Sequence, residues 1–244
     1  MAFIRPFKPE DTNAAKHICR ATLPPSLASS SGAAALSPYL WTLPFTHLRP
    51  QHCHILDDGA GNAVGYVLGA PDIFALAKEW PRYMENVVKP GVEDGEVPRL
   101  GEEDLQSREA WWKDEEEKAV NERCLGQLAY KPDWLLLGNE EENSRELEHR
   151  PDSKEKRTPT KREMVHQYHA IMHIDLLEPF QRQGWGRKMI QRFIEGIKAS
   201  GEDFGKGVMI GIAPENEKVV KFYEKCGFRV VEGGVGEIWM VREL

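Results

Sequence analysis

The residues best suited to chemistry fall in two short segments of the C-terminal third. The first is Gln181-Arg182-Gln183-Gly184-Trp185-Gly186-Arg187-Lys188, which follows an apolar strand-like run and opens a helical pattern. The first turn of a helix carries unpaired N–H groups and a partial positive charge. Glycines let that backbone close on an anion with no Cβ in the way. A pyrophosphate is the natural guest, and Arg182, Arg187 and Lys188 add positive charge. The second segment runs from Asn216 to Phe228 and reads as a short helix stopped by Gly227. It offers the Tyr223 hydroxyl at the edge of the same cleft. Other phosphate motifs fit less well: Gly-Lys-Ser/Thr is absent, and the third glycine of a dinucleotide fingerprint is here Met189. Taken alone, the first segment leaves a tight turn without a ligand as an open alternative.

The elements that position these segments follow from periodicity. Tyr168–Leu177 reads as a buried strand, and Gly186–Ser200 as a helix with one apolar stripe at Met189, Ile190, Phe193, Ile194 and Ile197. Gly207–Ala213 is a further buried strand, Glu217–Cys226 a helix, and Phe228–Val231 with Glu237–Val241 a closing strand pair. Alternation of strand and helix argues for α/β architecture with a locally parallel pair. At the N-terminus, residues 2–7 read as a strand and 10–22 as a helix capped by Asp11 or Thr12. The Ser/Ala/Gly-rich stretch Ser26–Ser37 reads as a mobile loop. Residues 52–57 and 63–69 flank an Asp/Gly/Asn turn and read as a hairpin. Helical spacing is expected over 72–88 and again over about Glu102–Glu122, which holds Trp111 and Trp112. Residues 139–163 are nearly all charged or polar, the composition of a disordered loop.

Composition bounds the function. The chain has 244 residues, 41% hydrophobic and 29% charged, which suits one large soluble domain. A net charge of −7 argues against a general nucleic-acid binder. No apolar run approaches a membrane span, and Met1–Phe7 carries no signal-peptide pattern. Cys19, Cys53, Cys124 and Cys226 are scattered, with no metal spacing. They read as reduced, buried thiols of a cytoplasmic protein, with a nuclear location also open.

Gln-x-x-Gly-x-Gly after a strand resembles the CoA-pyrophosphate loop of the GNAT superfamily of N-acetyltransferases. Asn216, Val219, Phe222-Tyr223 and Gly227-Phe228 resemble that superfamily's other hallmark, in matching order and separation. The likeness covers about residues 166–232. The run His-Ile-Asp-Leu-Leu, with a long helical insert ahead of it, resembles the acetyltransferase-like domain associated with O-GlcNAcases and its free-standing microbial relatives. The fold implied is α/β (α+β): a GNAT-like mixed twisted sheet with helices on both faces and a helical insertion before the cofactor-binding strand. A single domain over 1–244 is expected, with the insertion at 71–166 either walling or lidding the acceptor site or packing as an accessory helical pair.

The resemblance implies acetyl-CoA as cofactor and direct acetyl transfer to an amine. Leu176 and Leu177 would offer backbone groups to the pantetheine arm. Gln181 through Lys188 would hold the pyrophosphate, Asn216 would orient the arm, and Phe222 belongs to the same cofactor-binding set. Tyr223 would be the general acid. Many members use a glutamate base on the strand before the loop, but Met172 occupies one usual position. His173 and Asp175 are the nearest titratable candidates, then His169, and alternation sets all three on the face opposite Met172. His173 could equally be a core histidine, and a water chain to a distant carboxylate stays open. The amine is unidentified. A small-molecule acceptor is favoured over a protein lysine or N-terminus, and an acyl-CoA-binding module without turnover is the non-enzyme alternative. No metal, nucleic acid or membrane partner is expected, and a monomer or homodimer is.

Overall fold

Seven strands form one sheet in the order β1 (Phe3–Pro6), β2 (His54–Asp57), β3 (Ala63–Ala70), β6 (Ala170–Leu176), β7 (Gly207–Ile212), β9 (Ile238–Glu243) and β8 (Arg229–Val231). The computed structural model describes residues 1–114, 116–138, 159–231 and 238–244. All neighbouring strands are antiparallel except β6 and β7. That parallel pair is joined through the long helix Trp185–Ser200, as a parallel connection requires. Its ladder covers only Ala170 opposite Val208 and Ile171 opposite Met209. Beyond those residues the two strands part toward their C-terminal ends.

Helices cover both faces. On one face lie α1 (Thr12–Ala21), α2 (Pro25–Ala28), α3 (Ser31–Trp41) and α4 (Leu43–Leu48), over a core that includes Ile18, Leu40, Phe45, Ile55 and Tyr66. Between β3 and β6 the chain adds α5 (Ile73–Lys78), α6 (Trp80–Tyr83), α7 (Lys89–Glu93), a two-stranded ribbon of β4 (Trp112–Asp114) and β5 (Ala119–Val120), α8 (Glu122–Tyr130) and α9 (Lys161–Val165). On the other face lies α10 (Trp185–Ser200), whose stripe of Met189, Ile190, Phe193, Ile194 and Ile197 is fully buried as its spacing requires. The short α11 (Val220–Lys225) follows β7, with Gly227 just past its end at φ +86°.

Three expectations change. Ser26–Ser37 is helical rather than a loop, because the alanines are strong helix formers and Ser30 caps α3 by accepting from the Ala33 N–H. Residues 102–122 do not form one helix. Trp112 enters the ribbon instead, with Trp111 just ahead of it, and Asn121 caps a helix that begins only at Glu122. The charged stretch 139–163 lies outside the described residues from 139 to 158, but its end is ordered. Thr160 and Glu163 cap α9 reciprocally, a Thr-x-x-Glu signal that charge composition hides.

The segment from 71 to 166 shares its core with the first face. Ile73, Leu76, Trp80, Tyr83, Leu125, Leu128 and Val165 pack in one cluster with Ala15, Ile18, Tyr39 and Phe45. Trp80 is 2% exposed and donates its indole N–H to the Ala129 carbonyl at 3.0 Å. Trp80→Ala is expected to cost about 3–5 kcal/mol. Denaturant unfolding should show one shifted transition, whereas a separate early transition would mark this segment as its own folding unit.

Candidate active site

The turn between β6 and α10 has the geometry of an anion cradle. Arg182 and Gly184 both adopt left-handed backbone, at φ +59° and +82°, so the chain curls back on itself before the helix starts. The first bond closing α10 runs from the Lys188 N–H to the Gly184 carbonyl at 3.4 Å, so the N–H groups ahead of it have no intrahelical acceptor. The turn is held from below by side chains. Gln181 donates to the Leu176 carbonyl at 2.8 Å and Gln183 to the Pro179 carbonyl at 2.6 Å. Arg187 reaches the Lys225 carbonyl at 2.9 Å, which ties α10 to the end of α11. Lys188 lies 4.4 Å over the Trp185 ring. Arg182 and Lys188 therefore keep their charges at the exposed turn, while Arg187 is partly committed to structure. An exposed, positively charged run of open N–H groups fits a CoA pyrophosphate.

The parting of β6 and β7 supplies a second surface. The Leu177 N–H donates to Val64 on the β3 side at 3.0 Å. Alternation then turns the backbone groups of Leu176 and Ile174 toward the gap beside β7. The Leu176 carbonyl accepts from Gln181 there, which leaves its N–H facing the gap. Leu176 thus offers an open N–H to the gap, whereas the Leu177 N–H serves β3 and its carbonyl accepts from Phe180.

The two sequence segments meet directly. A Cβ built on Gly186 would lie 2.8 Å from the Phe222 ring, so glycine is what lets α10 and α11 close together. Phe222 also packs edge-on against Tyr223, and Tyr223 against Phe228. Asn216 sits half-buried in the 3-10 turn Pro214–Val219 that follows β7, its N–H bonded to Ala213. Its neighbour Glu215 accepts from both the backbone N–H and the hydroxyl of Ser26, clasping α2 to this turn.

Below this cleft lies a titratable floor. His173 and Asp175 share one face of β6, and Met172 is buried on the other against α10. Asp175 is partly open to solvent yet walled by protein, and burial pushes its carboxyl up to about 6. Hydroxyls of Tyr66 and Thr22 work against that rise. His173 packs on Phe45 at 5.6 Å, and burial holds its imidazole down at about 4. It is neutral at pH 7 and a weak base. His169 stands apart. It precedes the strand by one residue, faces Asp203 and packs on Phe74, about 20 Å from Asp175 at the usual strand rise. Burial, and then the charge of Asp175, raise the Tyr223 phenol above its ordinary value, so the two groups sense each other. Tyr66, Thr22 and Thr42 are the site residues that sequence reading missed. Tyr66 lies in the hairpin arm Ala63–Gly69, where it reads only as a strand former.

The sequence pattern of the Acetyltransferase (GNAT) family matches residues 89–228. The chain belongs to this family. Its members are acetyl-CoA-dependent N-acetyltransferases. Among solved structures, the crystal structure of SsHAT is similar over 99% of this chain and 98% of that one, with a TM-score of 0.68 and 22% identity. That of PH1933 from Pyrococcus horikoshii OT3 is similar over 100% and 99%, with a TM-score of 0.50 and 10% identity. These likenesses concern the fold, and they run over the whole length of the chain. Among the described residues, no helix is long and apolar enough to cross a membrane.

The Gly186–Phe222 contact sets up a direct test. Gly186→Ala should displace the ring and disturb the cradle, weakening acetyl-CoA binding about tenfold or more in calorimetric titration. Gly186→Ala with Phe222→Ala should recover part of the lost affinity. Unchanged binding in the single variant would show that the turn does not hold the cofactor.

Proposed function

We propose that this GNAT enzyme transfers acetyl from acetyl-CoA to a primary amine, with Asp175 as the base and Tyr223 as the acid. The observation that carries this is a carboxylate with its pKa near 6, at the floor of the cleft and electrostatically coupled to the tyrosine. Bound acetyl-CoA supplies the acetyl group and a thiolate leaving group. The N–H groups from Arg182 to Gly186 receive the pyrophosphate, and the Leu176 backbone receives the arm. Asn216 orients that arm from the opposite lip, and Phe222 holds the two lips together. Asp175 accepts the proton that the incoming ammonium must lose before attack, a task suited to a base poised just below neutral pH. Tyr223 protonates the departing sulfur.

The order of these proton movements matters. While Asp175 is ionised, its charge raises the Tyr223 pKa and the phenol keeps its proton. Once Asp175 has taken the amine's proton, that opposing charge is gone. Tyr223 becomes a stronger acid at the moment its proton is needed.

A small-molecule acceptor is favoured because the inserted segment, packed in one core with the first helical face, could enclose a pocket. A protein lysine or N-terminal amine is the competing acceptor, and a thiol-release screen over free amines and lysine peptides separates the two. Retained acetyl-CoA binding with no release for any amine would establish a non-catalytic binding module. The closer likeness to O-GlcNAcase-associated domains is consistent with this reading and leaves the acceptor open.

Tyr223→Phe should lower kcat about 10²-fold with little change in acetyl-CoA affinity. Asp175 must be ionised to accept a proton, so kcat/KM should fall about tenfold per pH unit below about 6 and level off above it. Asp175→Asn should abolish this limb along with most of the rate. Full activity in Asp175→Asn would remove Asp175 as the base.

A further inference from the structure

Asp175 is the cross-strand partner of Tyr66 in the β3–β6 ladder, so the two side chains rise from one face of the sheet. Tyr66 is fully buried, and its hydroxyl stands 2.6 Å from Asp175 Oδ2. An ionised carboxylate only accepts, so the phenol donates its proton there. The Tyr66 oxygen lies 3.4 Å from the hydroxyl of Thr42, itself fully buried at the junction of α3 and α4. With the phenol proton spent on Asp175, Thr42 must be the donor in that second bond. A directed chain runs from Thr42 through Tyr66 to Oδ2 of Asp175, and the Thr22 hydroxyl also favours the ionised carboxylate. We propose that Tyr66, backed by Thr42, is the positioning residue that aims the base of this acetyltransferase. This inference rests on the reading of Asp175 as the base.

The surroundings of Asp175 give the chain its leverage. Facing it are Tyr66 from β3, Cys19 from α1 and Thr22 just past its end, Tyr223 from α11 and His173 two residues along its own strand. Thr42 reaches it through Tyr66. His173 is neutral near pH 7, and burial holds the Cys19 thiol up at about 12, so neither brings a charge. No cation faces the carboxylate from these elements, and hydroxyls alone stabilise its ionised form against burial. Tyr66 keeps its own proton, because burial and the Asp175 charge both raise its pKa. It orients and tunes the base without exchanging protons itself.

The test is a carboxyl-carbon NMR titration of protein labelled at aspartate, with Asp175→Asn used for assignment. Tyr66→Phe removes the hydroxyl and keeps the ring. The Asp175 midpoint should rise by about one pH unit in this variant. Thr42→Val should shift it the same way by less, and it keeps the test alive if Tyr66→Phe folds poorly. In the thiol-release assay, kcat in Tyr66→Phe should drop about tenfold while KM for acetyl-CoA holds. An Asp175 midpoint unmoved in both variants overturns the positioning role and leaves Asp175 as the base. Full thiol release by Asp175→Asn removes the base reading, and the role of Tyr66 falls with it.

Discussion

Strands β6 and β7 share only two residue pairs before they separate, and the backbone groups released by that separation need partners. The turn into α10 answers part of the demand, since Gln181 reaches back to the Leu176 carbonyl. The Leu176 N–H is left facing the gap. The same separation places the N-terminus of α10 and the turn after β7 on opposite lips of one opening. Phe222 on Gly186 and Arg187 on the Lys225 carbonyl pin those lips at a fixed distance. A parallel pair that stayed zipped to its end would have neither a gap for the arm nor a floor on which Asp175 could meet Tyr223.

That floor balances two opposing effects. Withdrawing Asp175 from water favours its neutral form, and the hydroxyls around it favour the ionised form. Either effect alone would move the carboxyl away from the neutral range. A fully solvated aspartate near pH 4 would be too weak to deprotonate an amine efficiently, and a dry one without hydroxyls would stay protonated at neutral pH. His173 shows what burial does unopposed. Packed on Phe45 with no polar partner to favour its charged form, it sits near 4 and is of little use as a base. The difference between two residues on the same strand face lies in what stands across the ladder: Leu68 opposite His173, and Tyr66 opposite Asp175.

Much of this was legible in the sequence where the signal is local. The apolar stripe of α10, the glycines of its approach and the helix around Tyr223 are periodic or stereochemical features, and they fold as their spacing demands. Failures came where a weak local signal competed with composition. Ser26–Ser37 looks like a linker because serine and glycine are common in loops, yet Ser30 as a cap and a run of alanines make a helix there. Trp111 and Trp112 fit a helical spacing as well as a ribbon, and only Asn121 marks where the helix really starts. Tyr66 could not have been found, because its importance comes from pairing with a residue more than one hundred positions away. The direction of the Leu177 N–H was hidden for a related reason: parity along β6 is fixed by its partner strand, not by its own residues.

The segment between β3 and β6 is tied to the α2–α3 stretch and the first-face core. Glu122 at the start of α8 accepts from the Ser30 hydroxyl, and Gly32 lies flush against the same carboxylate, with no room for a side chain. From the other side, Glu215 holds Ser26. The stretch is thus held at two points, the start of α3 by the inserted segment and α2 by the turn that carries Asn216. Because the inserted helices share one apolar cluster with α1 and α3, moving them would break the core that supports the floor itself. A free lid needs few buried contacts and a cheap opening. This segment has many, and so it packs as part of the core rather than as a free lid.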